Sequence, residues 1–406
     1  MTHDPVAVND GRAENVGTGS LRVGRYAPLL RLACVWGLLI IAAVLLRGAF
    51  RGGGAHSDFA LFWETVERVR GGLPMYGPLT TGSRVWLAGP NYNPPHFYLL
   101  VAPFTVLPFA AGFVLWTLTG LACALYAARR TLRTLNLRAH GDAVLLGGLV
   151  LANATLASTL RAGQLSLFLA LPVCLAWIAA REQRWTHTGL WIGLAASVKP
   201  FLLIVGPYLL LTRRWRAAFA MTFAGITAFA LGAALFGPHS LRDWIGVLDA
   251  PRMDAHFHNA SFAALLIRGF GSRLLPATEV LAAAGTLATV VIAARSRDTD
   301  HAWLTLLTGS LFWSPLGWIY YGWILMPPLF ALAVTRRLAP LGCGWVLLWL
   351  WPPYTPSLAT ARPIVATTIG SIYTWGLMLL WVGEVTTHGN RRETPDLRAH
   401  RRDGVA

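Results

Sequence analysis

The sequence predicts an all-α polytopic membrane protein, and three observations carry that prediction. The 406 residues are 55% hydrophobic and only 13% charged, with a mean hydropathy of +0.51, whereas soluble domains carry about 25% charged residues. Apolar runs recur from Leu29 to Trp381, many close to the roughly 20 residues that cross a bilayer as a helix. Arginines gather at the ends of these runs, the pattern that orients helices in a membrane. The runs read as one helical body rather than a soluble domain with an anchor.

Taken in order, residues 1–26 are polar and Gly-rich, a disordered cytoplasmic tail. Residues 27–386 form a single transmembrane domain, and 387–406 a basic cytoplasmic tail. Candidate spans fall at 29–49, 109–128, 142–160, 164–180, 187–198 with 200–212, 217–236, 275–294, 302–317, 320–335, 340–352 and 364–385. The first has an apolar core near 20 residues, longer than the roughly 7–15 of a secretory signal, and reads as an uncleaved span. Residues 50–108 then form the first extracytoplasmic loop. Both flanks of 187–212 are arginine-rich and belong inside. Each half is only about 12 residues, about 19 Å long against a hydrocarbon core of about 30 Å. The pair is therefore expected to be a short hairpin or broken helix pair with Lys199-Pro200 at its tip. Such backbone survives at membrane depth only inside protein or beside a wet cavity. The total comes to about 12 transmembrane or half-membrane helices with both termini cytoplasmic.

The net charge of +16 does not indicate nucleic acid, because the arginines flank apolar runs and serve topology and anionic lipid head groups. Lys199 is the sole lysine against 33 arginines. That bias, with heavy Ala, Gly and Trp use, points to a GC-rich bacterial genome and so to a bacterial plasma membrane. Cys34, Cys123, Cys174 and Cys343 all sit in apolar runs without metal spacing and read as small hydrophobes. No H-E-x-x-H, P-loop, G-x-S-x-G or Cys/His cluster occurs, so no cofactor and no metal are expected. Asp298-Thr299-Asp300 spells a D-x-D. It lies on a short inner loop with no soluble α/β domain to present a nucleotide, and reads as a chance match.

This topology gathers the polar residues on the outer side, where an ionisable group at membrane depth is a functional candidate by default. In "HSDFALFWETVERVRGG", Phe59, Phe62, Trp63, Val66 and Val69 fall at helical spacing and Gly71-Gly72 ends the pattern. This is an amphipathic helix of the interface plane with Asp58 in its first turn. Asp58 suits a helix cap as well as catalysis. Tyr76, Tyr92 and His96 belong to the rest of that loop, which runs on through "GPNYNPPHFYLLVAPFTVLP". They suit a polar pocket or an ordinary membrane interface. Arg161 and Gln164 share the turn "LRAGQLS", and Lys199 sits in "SVKPF". An arginine fork and a lysine point charge both bind phosphate, although a snorkelling Arg161 is equally natural.

These segments, with "NASFAALLIR" and "SPLGWIYYGWILMPP", are similar in order and spacing to the bacterial membrane glycosyltransferases of family 87, which include actinobacterial polyprenyl-phosphate-dependent mannosyltransferases. The resemblance runs from about Asp58 to Met326. It implies a GT-C-type bundle and an integral-membrane glycosyltransferase that moves a hexose, by preference mannose, from a polyprenyl-phosphate donor. The acceptor would be a cell-envelope glycolipid or polysaccharide on the extracytoplasmic side. Asp58 matches the family's catalytic acid and is implied to be the general base. Arg161, Gln164 and Lys199 are then the candidates for the donor phosphate. Tyr76, Tyr92, Asn259, Trp318, Tyr320 and Tyr321 are those for the substrate pocket. The chain departs from the family where a His-His pair often follows the tryptophan, because here Tyr320-Tyr321 follows Trp318-Ile319. Tyrosine donates a hydrogen bond but does not titrate near neutral pH. Ser166 also stands where an asparagine often follows the Gly-Gln pair. An arabinofuranosyltransferase of the same fold and a lipid or polyprenyl transporter are the alternatives, the latter favoured by broken helices and disfavoured by the absence of an internal repeat.

Overall fold

The computed structural model describes residues 27–50, 58–76, 91–135, 154–248, 255–334 and 362–389, with a few positions near 344–348. Residues 1–26 and 390–406, most of the run at 142–160, nearly all of that at 340–352, and 51–57 and 77–90 of the first loop lie outside the described residues. Among the described residues every regular element is helical, and the β-type pairing is a single antiparallel bridge, Asn259 with Trp318. Among the described residues, four helical stretches are long and apolar enough to cross a bilayer: Phe109–Thr134, Trp215–Phe236, Ser272–Arg295 and Pro363–Thr386. The chain is a helical membrane protein.

Helix α1 spans Ala27–Phe50, α2 Asp58–Arg70, α3 Phe97–Val101 and α4 Phe109–Thr134. After them come α5 (Ala154–Ala162), α6 (Ser166–Arg181), α7 (Trp185–Val198), α8 (Val205–Leu211) and α9 (Trp215–Phe236). The remaining helices are α10 (His239–Leu248), α11 (Phe262–Phe270), α12 (Leu275–Arg295), α13 (Thr299–Phe312), α14 (Met326–Val334), α15 (Pro363–Thr367) and α16 (Ile372–Gly389). Two of them form the centre. Every residue of α13 from His301 to Phe312 is buried, and α6 is nearly as enclosed. Helix α9, by contrast, shows Phe219, Phe223 and Ile226 outward, Phe219 with 74% of its surface free. An apolar face of that kind suits hydrocarbon and not water.

The helix pair at 187–212 is broken where the lysine–proline pair falls. Helix α7 stops at Val198, Lys199 is extended (φ −130°, ψ 98°), and Pro200–Ile204 continue as a 3-10 turn into α8. Pro200 lacks the N–H that a continuous helix requires and restricts the residue before it to extended backbone. Helix α7 lies hard against α9. A Cβ built on Gly189 would lie 2.1 Å from the Ala217 carbonyl oxygen, and one on Gly193 2.4 Å from that of Met221. Two glycines four residues apart thus let two backbones touch, the small-residue packing common between membrane helices.

The run expected as one span at 302–317 is shorter. Helix α13 ends at Phe312, and after the turn at Ser314–Gly317 the chain resumes as a buried 3-10 stretch, Ile319–Leu325. The reason is a contact from far along the chain. Gly317 N donates to the Asn259 side chain at 2.9 Å instead of to a helix carbonyl. The 364–385 run is also interrupted, by a 3-10 turn at Ile369–Ser371 between α15 and α16.

Candidate active site

Asp58 opens α2, and the packing of that helix decides where its carboxylate stands. Phe59 is fully buried. Its ring lies 5.8, 5.7 and 5.6 Å from those of Phe109, Phe113 and Trp116 of α4. Phe62 meets Phe97 edge-on at 4.8 Å. The apolar face predicted for α2 therefore rests on the protein's own core, and Glu67 and Arg70 remain exposed on the opposite side. Three aromatic contacts on the residue next to Asp58 fix the start of the helix more firmly than a cap alone.

The turn after α5 supplies the first partner. Gly163 has φ +64°, a conformation that favours glycine, and a Cβ there would lie 2.6 Å from that of Phe59. Its carbonyl accepts from the Trp116 indole N–H at 2.9 Å, and Gln164 N donates to the Thr159 carbonyl at 3.0 Å. With the backbone so held, Gln164 Nε2 donates a hydrogen bond to Asp58 Oδ2. Gln164, a phosphate-binding candidate by its place in the sequence, has its amide on the carboxylate instead.

Lys199 comes from the break between α7 and α8. Its ammonium donates to Asn93 Oδ1 at 2.8 Å and lies 5.6 Å from the centre of the Tyr321 ring. Asn93 is itself held, since its carbonyl accepts from the Tyr76 hydroxyl at 2.6 Å and its N–H donates to Asn91 Oδ1 at 3.3 Å. Asn91 takes a bond from the Tyr98 hydroxyl and donates to Thr65 on α2 at 3.0 Å. A buried polar network thus joins the Asp58 helix to the lysine through the N-Y-N-P-P segment. Asn91 and Asn93 were not singled out from sequence. Two asparagines before a Pro-Pro were the available signal.

The charge of Asp58 acts on Lys199, Tyr320 and Tyr321. Burial raises the Asp58 pKa to about 6, against the opposing pull of the Lys199 charge and the Gln164 bond. Exposed Arg161, in the last turn of α5, acts electrostatically on Tyr320 and His258. Tyr320 shares a hydrogen bond of 2.7 Å with His258 Nδ1. Trp318 stacks near Tyr320, with centres 6.1 Å apart and planes 20° from parallel. His256 meets Trp318 edge-on at 5.5 Å. Burial pushes the His258 pKa down to about 3, helped by His256 and Arg161, so the ring is neutral. Neither of these histidines was a sequence candidate, because nothing in the chain between residue 258 and residue 320 announces their contact.

Tyr92 and Asn259 make bonds elsewhere. The carbonyl of Tyr92 accepts from the Trp244 indole at 3.1 Å. Asn259 has no exposed surface, and its side chain works inside a turn. It donates to the Pro315 carbonyl at 2.9 Å and accepts from Ser261 N and Gly317 N. It shapes the loop that carries Trp318. The D-x-D is likewise structural. Asp298 caps α13 by accepting from Asp300 N and His301 N, and Asp300 takes bonds from Trp177 and Arg181. Among the described residues no group of three His, Cys, Asp or Glu could hold a metal.

Apolar helices thus surround a cluster of carboxylate, amide, lysine and tyrosines, an arrangement open to acid–base chemistry inside a membrane protein. The model of glycosyltransferase family 87 matches residues 91–317. The chain belongs to that family and is a glycosyltransferase. The match holds Arg161, Gln164, Lys199 and Asn259; Asp58, Tyr76 and Trp318 to Tyr321 flank it, and the fold brings flank and centre together. The chain is 27% identical over 370 residues to the polyprenol-phosphate-mannose-dependent alpha-(1-2)-phosphatidylinositol pentamannoside mannosyltransferase of Mycolicibacterium smegmatis, covering 84% of this chain and 88% of that one. It is also 27% identical over 312 residues, 70% of each chain, to the protein of the same name from Mycobacterium tuberculosis.

Proposed function

We propose that this protein transfers mannose from a polyprenyl-phosphate donor to a cell-envelope glycolipid or polysaccharide at the extracytoplasmic face of a bacterial plasma membrane. The observation that carries the reading is the partly buried Asp58 carboxylate, oriented by Gln164 and set beside Lys199. The mannosyl relatives named above support the sugar and the donor. The fold is a GT-C-type bundle of about 12 helices within residues 27–386, with both tails cytoplasmic and α2 lying at the outer interface.

In the reaction the acceptor hydroxyl gives its proton to Asp58 as its oxygen attacks the anomeric carbon. The bond from that carbon to the phosphate oxygen breaks, and the polyprenyl phosphate leaves with the electron pair. Lys199 and Arg161 meet the charge of that phosphate. A pKa near 6 keeps Asp58 ionised at neutral pH yet more basic than an ordinary carboxylate, which suits a general base. Gln164 holds one carboxylate oxygen and leaves the other for the proton.

Proteoliposomes of purified protein test this with radiolabelled polyprenyl-phosphate mannose and a mannosylated phosphatidylinositol as acceptor. Label is expected in the glycolipid. Label delivered only from polyprenyl-phosphate arabinofuranose would replace mannose as the sugar, and transbilayer movement of lipid without transfer would favour a transporter.

The base also predicts a pH profile. The acidic limb of kcat/KM is expected near pH 6. The Gln164 bond favours the ionised carboxylate, so Gln164→Leu raises the Asp58 pKa and moves the limb to higher pH. A limb that stays in place in Q164L would show that another group sets it.

A further inference from the structure

The segment from Asn91 to His96 is held by several distant parts of the chain. Tyr98 and Thr65 bind the Asn91 side chain, and the Trp244 indole of α10 donates to the Tyr92 carbonyl at 3.1 Å. The His96 ring meets Phe229 of α9 edge-on at 4.8 Å, and a Cβ built on Gly232 would lie 2.9 Å from His96 N. The segment is also tied twice to the break between α7 and α8. His96 Nε2 lies 3.1 Å from Ser197 Oγ. The serine gives its own proton to the Leu194 carbonyl at 2.8 Å, so the imidazole is the donor. Two residues on, the Lys199 ammonium donates to Asn93 Oδ1 at 2.8 Å.

The identity of that acceptor is informative. Among the described residues Lys199 makes no salt bridge, and the Asp58 charge reaches it from farther away. Its polar partners are one neutral amide oxygen and the face of Tyr321. A lysine ammonium is a point charge with three donors on a flexible stem. A carboxylate would fix it and cancel its charge. An amide oxygen fixes it and leaves the charge for an incoming anion. Asn93 can do this firmly, because its carbonyl accepts from Tyr76 at 2.6 Å and its N–H donates to Asn91 Oδ1 at 3.3 Å.

We propose that Asn93 is a positioning residue of this transferase, aiming the Lys199 ammonium at the donor phosphate without neutralising it. The proposal rests on the transferase reading above, in which Lys199 meets that phosphate. A charge preorganised in this way binds its partner at little further entropic cost.

The test uses the full-length protein in proteoliposomes, with kcat and KM measured for donor and acceptor, and Tm of the solubilised protein as control. Asn93→Ala is expected to raise donor KM about tenfold, the scale of one hydrogen bond to a charged group, with acceptor KM near the wild-type value. Added to Lys199→Gln, the same change is expected to raise donor KM by no more than about twofold, since no charge is left to aim. Asn93→Asp keeps the shape and the acceptor oxygen, so Tm is expected to hold or rise. Donor KM is nevertheless expected to rise about tenfold or more, because the carboxylate pairs with the ammonium. A residue that only held the fold would give the opposite pattern in N93D, wild-type donor KM with a sound Tm, and that result overturns the proposal. Equal rises in donor and acceptor KM in N93A, or its full effect repeated in K199Q, also overturn it. Should N93A fail to fold, N93D decides. No sugar transfer by the wild type would instead sink the transferase reading, and wild-type donor KM in K199Q would sink its assignment of Lys199.

Discussion

Asp58→Asn is expected to lower kcat by about 10²–10⁴-fold, the range a general base contributes, while donor KM changes little. The substitution keeps the shape of the side chain and an oxygen that can still accept from Gln164 Nε2. It removes only the capacity to take a proton. Stability is expected to hold or improve. Burial raises the folded pKa of Asp58, so above about pH 6 its charge costs stability that is recovered as pH falls, and asparagine never carries that charge. A fall in kcat at unchanged Tm therefore separates lost chemistry from lost fold. Wild-type kcat in D58N would remove Asp58 as base.

Lys199→Gln is expected to raise donor KM by about 10–150-fold, corresponding to the roughly 1.5–3 kcal/mol of a hydrogen bond to a charged group. Lys199 stands at a helix break forced by Pro200, tied to Asn93 and facing Tyr321. Glutamine can still donate to Asn93, so the network to α2 survives while the charge is lost. Acceptor KM is expected to stay near the wild-type value. An equal rise in both constants would argue that Lys199 holds the fold of the site and does not meet the phosphate.

The chain announces some of this arrangement and conceals the rest, for physical reasons. The α2 register was legible because Phe59, Phe62, Val66 and the closing glycines form a local pattern, and local patterns need no partner to be read. The break at Lys199 was legible because proline forbids a continuous helix. The end of α13 was not, since Leu311 to Gly317 is apolar enough to pass for a span, and its termination depends on Asn259, far away in sequence. The same holds for the site. Asp58 and Lys199 stood out as isolated charges in apolar surroundings. The bond from Gln164 to Asp58 spans 106 residues, and that from His258 to Tyr320 spans 62. Such pairings follow from packing and leave no periodic trace. Asn91 and Asn93 are a middle case, visible as polar residues in an apolar setting but without a sign of what they hold.

The central claim is that Asp58 acts on a sugar whose phosphate is held by cations nearby. Equilibrium binding of polyprenyl-phosphate mannose to purified D58N, alongside single-turnover transfer on the same preparation, tests it most directly. A Kd close to that of the wild type with transfer abolished is expected. Loss of binding together with transfer, or transfer at the wild-type rate, would contradict it.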